Sequence, residues 1–165
     1  METPFSDAEV RSGELCEGSK RKIAEGKLSA LDFEVAQILL KINERYNISN
    51  ASFYRALDLG KAVLIMTRGE AGFLIGKNGK IVSELSAALG RKVRIVEMKG
   101  DVKKSVSDVI MPARLLGINQ IFRNGKEMTK VRLAKHDLMH LPIDLTSLER
   151  ALQSLMECEV QLAIE

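Results

Sequence analysis

The chain has 165 residues, 45% of them hydrophobic and 28% charged, a length for one medium domain or two small ones with enough apolar material for a core. Its apolar runs stay short of the ~20 residues that cross a bilayer, and residues 1–4 do not open a secretory leader, so a soluble, cytoplasmic protein is expected. A net charge of +3 does not by itself mark a nucleic-acid binder, and two distant cysteines, Cys16 and Cys158, make no disulfide framework; both are expected to be small, half-buried residues in a reduced compartment.

Residues 1–28 hold Pro4, Gly13, Gly18 and Gly26 among mixed charges and few large apolar groups. A loose or partly helical N-terminal arm is expected there. A metal knuckle would need a cysteine at Ser19, and one thiol does not hold zinc, so no metal is expected. From Ser29 the pattern changes. Leu31, Val35, Ile38, Leu39 and Ile42 mark one helical face, with Asp32, Glu34, Lys41 and Glu44 elsewhere around it. Ser29 and Asp32 form a capping pattern, and Asn47 and Asn50 end the helix. Residues 51–58 read as a strand, Asp58-Leu59-Gly60-Lys61 as a turn, and residues 62–67 as the hairpin partner.

The next stretch, Ala71-Gly72-Phe73-Leu74-Ile75-Gly76-Lys77-Asn78-Gly79-Lys80-Ile81-Val82, is the most informative. Apolar residues flank a short polar loop bounded by glycines, and Ile81, Val82, Leu85, Ala88 and Leu89 continue at helical spacing. Two short helices joined by Gly76-Lys77-Asn78-Gly79 are expected. Glycine takes φ > 0 and carries no side chain to hold a ligand off. The N–H groups and positive dipole end of the second helix face the same place, and Lys77 and Lys80 add charge. Together they make a seat for phosphate. The charge distribution agrees: residues 29–100 hold eleven basic and seven acidic side chains, while the rest of the chain is close to balanced. Gly90 stops the second helix, and a strand follows at residues 92–97.

Helix, two strands, two helices around a G-x-x-G loop, and a strand: this segment resembles a type II KH domain, whose loop clamps the backbone of about four nucleotides. Residues 101–165 repeat the order. Shifted by 67, Val35 falls on Val102, Leu39 on Val106, Ile42 on Val109, Leu64 on Val131, Met66 on Leu133, Ile81 on Leu148, Leu85 on Leu152 and Val93 on Val160. Arg123-Asn124-Gly125-Lys126 supplies the hairpin turn. In this copy the G-x-x-G loop becomes Ile143-Asp144-Leu145-Thr146, with Pro142 where Ile75 stood. Both glycines and the lysine are gone, and a carboxylate that repels phosphate has arrived. Pro142 and Asp144 are placed to begin the helix there, with Asp144 or Thr146 as cap. The expected fold is therefore α+β: an arm at residues 1–28, an αββααβ KH domain with an intact loop at 29–100, and a degenerate KH-like domain at 101–165.

Two such domains on a short chain are similar to the archaeal NusA-like proteins. Some relatives carry an N-terminal cysteine-pair element, of which only Cys16 remains here. NusA proteins usually keep the loop in both copies, a pattern from which this second copy departs. The resemblance implies a single-stranded RNA-binding factor in transcription elongation or termination, working with RNA polymerase. The loop would let the strand approach at Gly76 and Gly79, contact phosphate through Lys77, Asn78 and Lys80, and seat bases on Ile75, Val82 and the edge strand at residues 93–96. Arg94 adds a contact where it faces the groove. Two alternatives are a protein-interaction module docking on RNA polymerase or a ribosomal particle, and an rRNA-binding assembly factor. His136 and His140 lack the carboxylate of an H-E-x-x-H pair, and no nucleophilic or nucleotide-binding constellation occurs, so no enzyme, cofactor or small-molecule substrate is expected.

Overall fold

A computed structural model describes residues 1–98, 101–141 and 143–165; the domain junction at Gly100 and the expectation for Pro142 lie outside these. The chain divides into two compact units, Met1–Asp58 with Val63–Glu97, and Leu59–Ala62 with Met98–Glu165. Both mix helices with a three-stranded sheet.

The first unit runs α1 (Asp7–Ser12), α2 (Glu17–Ala24), α3 (Ala30–Tyr46), β1 (Phe53–Asp58), β2 (Ala62–Thr67), α4 (Gly72–Ile75), a 3-10 turn (Lys77–Gly79), α5 (Lys80–Leu89) and β3 (Lys92–Glu97). A reciprocal capping box starts α3: Asp32 N donates to Ser29 Oγ at 3.1 Å and Ser29 N to Asp32 Oδ2 at 2.8 Å. Asn47, in the left-handed region at φ 52°, closes it. Val35, Ala36, Leu39 and Ile42 are the buried face of α3 and join Val63, Ile65, Leu74, Ile81 and Leu85 in the core. The strands lie in the order β1-β2-β3. β1 pairs antiparallel with β2, with a bulge between Phe53 and Arg55, and all six residues of β2 are buried.

The arm is not loose. Phe5, Val10 and Leu28 are all buried in this same core, and the Phe5 ring meets Phe33 edge-on at 5.1 Å. Residue 2 forms a parallel bridge to Ser52, with Phe53 N donating to Glu2 O at 2.8 Å. Sparse composition argued for looseness; three well-placed side chains, each contributing roughly 1.5–3 kcal/mol on burial, outweigh it. Glu9 closes the turn after α1. It is buried, caps α1 with Ser6, and accepts from Cys16 N at 2.9 Å. Burial pushes its carboxyl up, but hydrogen bonds from Ser19, Cys16 and Ser6 more than offset this and hold it far below the usual carboxylate range. Both cysteines are exposed rather than half-buried, Cys16 as the cap of α2 and Cys158 ahead of the last strand.

The second unit runs α6 (Val102–Ile110), β4 (Leu115–Arg123), β5 (Lys126–Leu133), a 3-10 turn (Lys135–His140), α7 (Leu145–Met156) and β6 (Val160–Ile164). β4 and β5 are antiparallel around Asn124-Gly125, both at positive φ as a tight hairpin requires, and β5 and β6 are parallel. Val106, Val109, Leu148, Leu152 and Val160 are buried, as the shift by 67 anticipates. Val102 is 50% exposed where Val35 is fully buried.

The gap-free match also slips in the central strand. Val63 and Ile65 face α3 and α5, so Leu64 and Met66 take the other face. In β5 the face toward the helices is Thr129, Val131 and Leu133: Thr129 Oγ1 lies 3.4 Å from Cys158 Sγ and shares a cavity with Ser105 of α6 and Leu155 of α7. A one-residue offset therefore separates the two strands, and with a period of two it exchanges the faces.

Candidate nucleic-acid interface

The loop is built between a one-turn helix and a ten-residue helix. Ala71 N donates to Glu97 Oε1 at 2.7 Å, which ties the start of α4 to the end of β3. Gly76 N closes α4 on Gly72 O at 2.9 Å. Gly76 itself has φ 77° and ψ 172°, a conformation open essentially to glycine alone. A Cβ there would lie 2.5 Å from Ile81 Cγ1 and 3.0 Å from Ile81 N. The glycine is thus required by the packing of buried Ile81 before any ligand is considered. Asn78 (φ 57°) and Gly79 (φ 72°) follow in the left-handed region, where Asn is among the better-tolerated residues. A Cβ on Gly79 would meet only Val82 Cγ1, at an ordinary 3.7 Å.

This backbone carries Lys77, Asn78 and Lys80 outward, all exposed, while Gly76, Gly79 and Val82 are half-buried and Ile75 is 38% exposed. The N-terminus of α5 has no side-chain cap and no acidic residue in its first turn. Side chains cap α1, α2, α3, α6 and α7, through Ser6, Cys16, Ser29, Asp101 and Asp144. Backbone bonds close the turn, Gly79 N donating to Gly76 O at 3.1 Å and Lys80 N to Lys77 O, so no side chain or carboxylate covers the positive end of α5, and it stands beside two lysines, an arrangement suited to an anion.

Tyr46, which no motif or spacing singles out, shapes the far side. Lys80 Nζ lies 4.6 Å from the centre of its ring. The Tyr46 hydroxyl donates to Glu84 Oε1 at 2.7 Å, and Arg45 NH2 donates to Glu84 Oε2 at 2.6 Å. Lys80 is steered by an aromatic face rather than waving in solvent. Ile75 through Val82 come together in one turn. Arg94 lies on the edge strand β3, half-buried and already engaged within the molecule. Arg91 is held by Asp58 at 2.5 Å.

In the second unit the corresponding turn leads into α7 with Asp144 as cap, accepting from Ser147 N at 3.2 Å. The Ser147 hydrogen bonds hold the Asp144 carboxyl below its ordinary range. Among the described residues no group of three or more His, Cys, Asp or Glu side chains is placed to hold a metal. No helix among them is long and apolar enough to cross a membrane.

Residues 30–98 match the family model described as the NusA-like first KH domain. The match spans α3 to β3 and contains the whole loop. A solved structure described as "Crystal structure of APE1850" is similar at 23% identity, over 77% of this chain and 96% of that one, with a TM-score of 0.52, a likeness of fold. No curated protein matches the chain.

Proposed function

We propose that this protein binds single-stranded RNA through the Gly76–Gly79 turn and acts as a NusA-like factor in transcription elongation or termination. The observation that carries the reading is the uncapped start of α5 beside Lys77 and Lys80, inside the segment similar to a NusA-like KH domain. In this reading the strand's phosphates meet the α5 amides, Lys77, Asn78 and Lys80. Its bases lie over Ile75 and Val82 toward β3, with Arg94 as a flanking contact. The protein acts by binding and without catalysis. The second unit is read as a degenerate KH-like domain in which Asp144 fills the place a phosphate would take. It keeps the element order while leaving RNA to the first unit, and RNA polymerase is the proposed partner.

The test is the double variant K77D/N78D. Both positions are exposed, and Asp tolerates the left-handed backbone at 78. Fluorescence anisotropy with a short oligoribonucleotide is expected to lose binding while the circular dichroism melt stays put. Unchanged affinity overturns the site. Crosslinking followed by RNA sequencing separates nascent transcripts, which this reading requires, from rRNA.

A further inference from the structure

A basic recess lies on the same unit, away from the Gly76–Gly79 turn, at the sheet edge opposite β3. It is a cavity of about 560 Å³ whose cations are Lys22, Lys27, Arg55 and Arg68; Glu2 is the one acid on its wall among the described residues. No residue of the 71–82 stretch lines it. The arm makes half of it and the outer end of β1 the other half, so it exists only because the first residues pack down.

We propose that this cavity binds a phosphate group. Two of the cations are oriented in advance. The Arg68 guanidinium lies 4.2 Å from the centre of the Tyr54 ring. Stacking of this kind restrains the guanidinium and leaves its in-plane N–H groups available for hydrogen bonds. Arg55 is held by the fully buried Asp32, whose Oδ2 accepts from Nε at 3.1 Å and whose Oδ1 accepts from Ala56 N at 2.6 Å. Lys27 is shared with Glu25 at 3.1 Å. Lys22 and Arg68 have no carboxylate within ion-pair distance among the described residues. Glu2 is turned to Ser52, accepting from its hydroxyl at 3.3 Å. The result is a recess, walled by Pro4, Leu28 and Phe53 together with Thr3 and Ser52, at which two held arginines and two lysines gather. Forked, pre-set arginines favour phosphate over a spherical halide, because two N–H groups can meet two oxygens at once. The volume admits a mononucleotide-sized ligand. The phosphate belongs either to a free phosphorylated small molecule or to an RNA strand, and the chemistry of recognition is the same.

The experiment uses the full chain, isotope-labelled, titrated with inorganic phosphate, adenosine 5′-monophosphate, adenosine and a short oligoribonucleotide. Phosphate and the monophosphate are expected to shift the amides of Ser52, Tyr54 and Arg55, and adenosine to leave them in place. K22A/R68A should weaken phosphate binding roughly tenfold or more, as loss of charge-assisted hydrogen bonds does. R68K, which keeps the charge and loses the fork, should fall between, and it covers the case in which the double variant folds poorly. K77D/N78D should bind phosphate in the cavity as the parent does, so failure of the loop assignment leaves this result standing. An oligonucleotide that shifts the same amides and loses affinity in K22A/R68A identifies the strand as the source. Shifts from phosphate and the monophosphate alone identify a free ligand. Absence of any phosphate-induced shift at these amides, or equal phosphate affinity in parent, R68K and K22A/R68A, overturns the proposal.

Discussion

The two turns that precede α5 and α7 solve the same problem in opposite ways. Both must begin a helix whose buried face carries paired leucines or isoleucines, Ile81 and Leu85 in one, Leu148 and Leu152 in the other. Ahead of α7 the chain supplies its own anion, the Asp144 carboxylate, and the helix start is satisfied from within. Ahead of α5 it supplies a glycine, puts no side-chain cap over the start, and places lysines beside it. The G-x-x-G turn thus holds two separable properties. Gly76 is a packing requirement, and the start of α5 without a side-chain cap is the feature on which the proposed RNA contact rests.

The largest expected effect separates the two properties. G76A should destabilise the protein by about 3 kcal/mol or more, because the methyl collides with Ile81 and the backbone is strained besides; thermal denaturation reads it. A G76A protein as stable as the parent would mean the turn is not packed as described. K77D/N78D should cost about a hundredfold in RNA affinity, roughly 2.7 kcal/mol, with no change in melting temperature. It should also flatten the salt dependence of what binding remains. G79A should cost roughly 1–2 kcal/mol from φ alone, since its methyl has ordinary room, so a loss as large as that of G76A would erase the distinction between the glycines.

The smallest effect lies in the second unit. D144N should lower stability slightly at neutral pH. The native carboxyl is held below its unfolded value, so its contribution is complete above that value and fades as the pH falls through the lowered one. Parent and D144N melting curves should therefore converge in acid, below about pH 4. Curves that stay parallel there would show that the Asp144 charge has no part in the cap.

What the sequence made legible was what depends on neighbours. The capping box of Ser29 and Asp32, the strands at 62–67 and 92–97, the Asn124-Gly125 hairpin and the Gly90 stop all sit where periodicity and turn chemistry put them. What stayed hidden depends on distant contacts. Asp32 looked like an outward residue of α3, yet it is fully buried because Arg55 and Ala56 N reach it from a strand 23 and 24 positions away. The arm looked sparse because three anchoring side chains are few on paper and sufficient in a core. The exchanged faces of β2 and β5 went unseen because β2 is apolar at five consecutive positions, so its pattern carries no alternation from which to read a register. In the candidate interface the loop was visible as a motif, whereas Tyr46 beneath Lys80, and the whole recess around Arg68, needed the fold to bring separate segments together.

The close approach of Gly76 to Ile81 has a consequence for how such a turn can change. Position 76 is keyed to the core beneath it, so a drift in its backbone is purged for instability before ligand preference enters. Position 77 is under no such restraint, and position 78 is limited only by its left-handed backbone, which Asn and Asp tolerate. On the proposed reading, recognition would be retuned or silenced at 77, an exposed position, without disturbing the turn that the hydrophobic interior keeps in place.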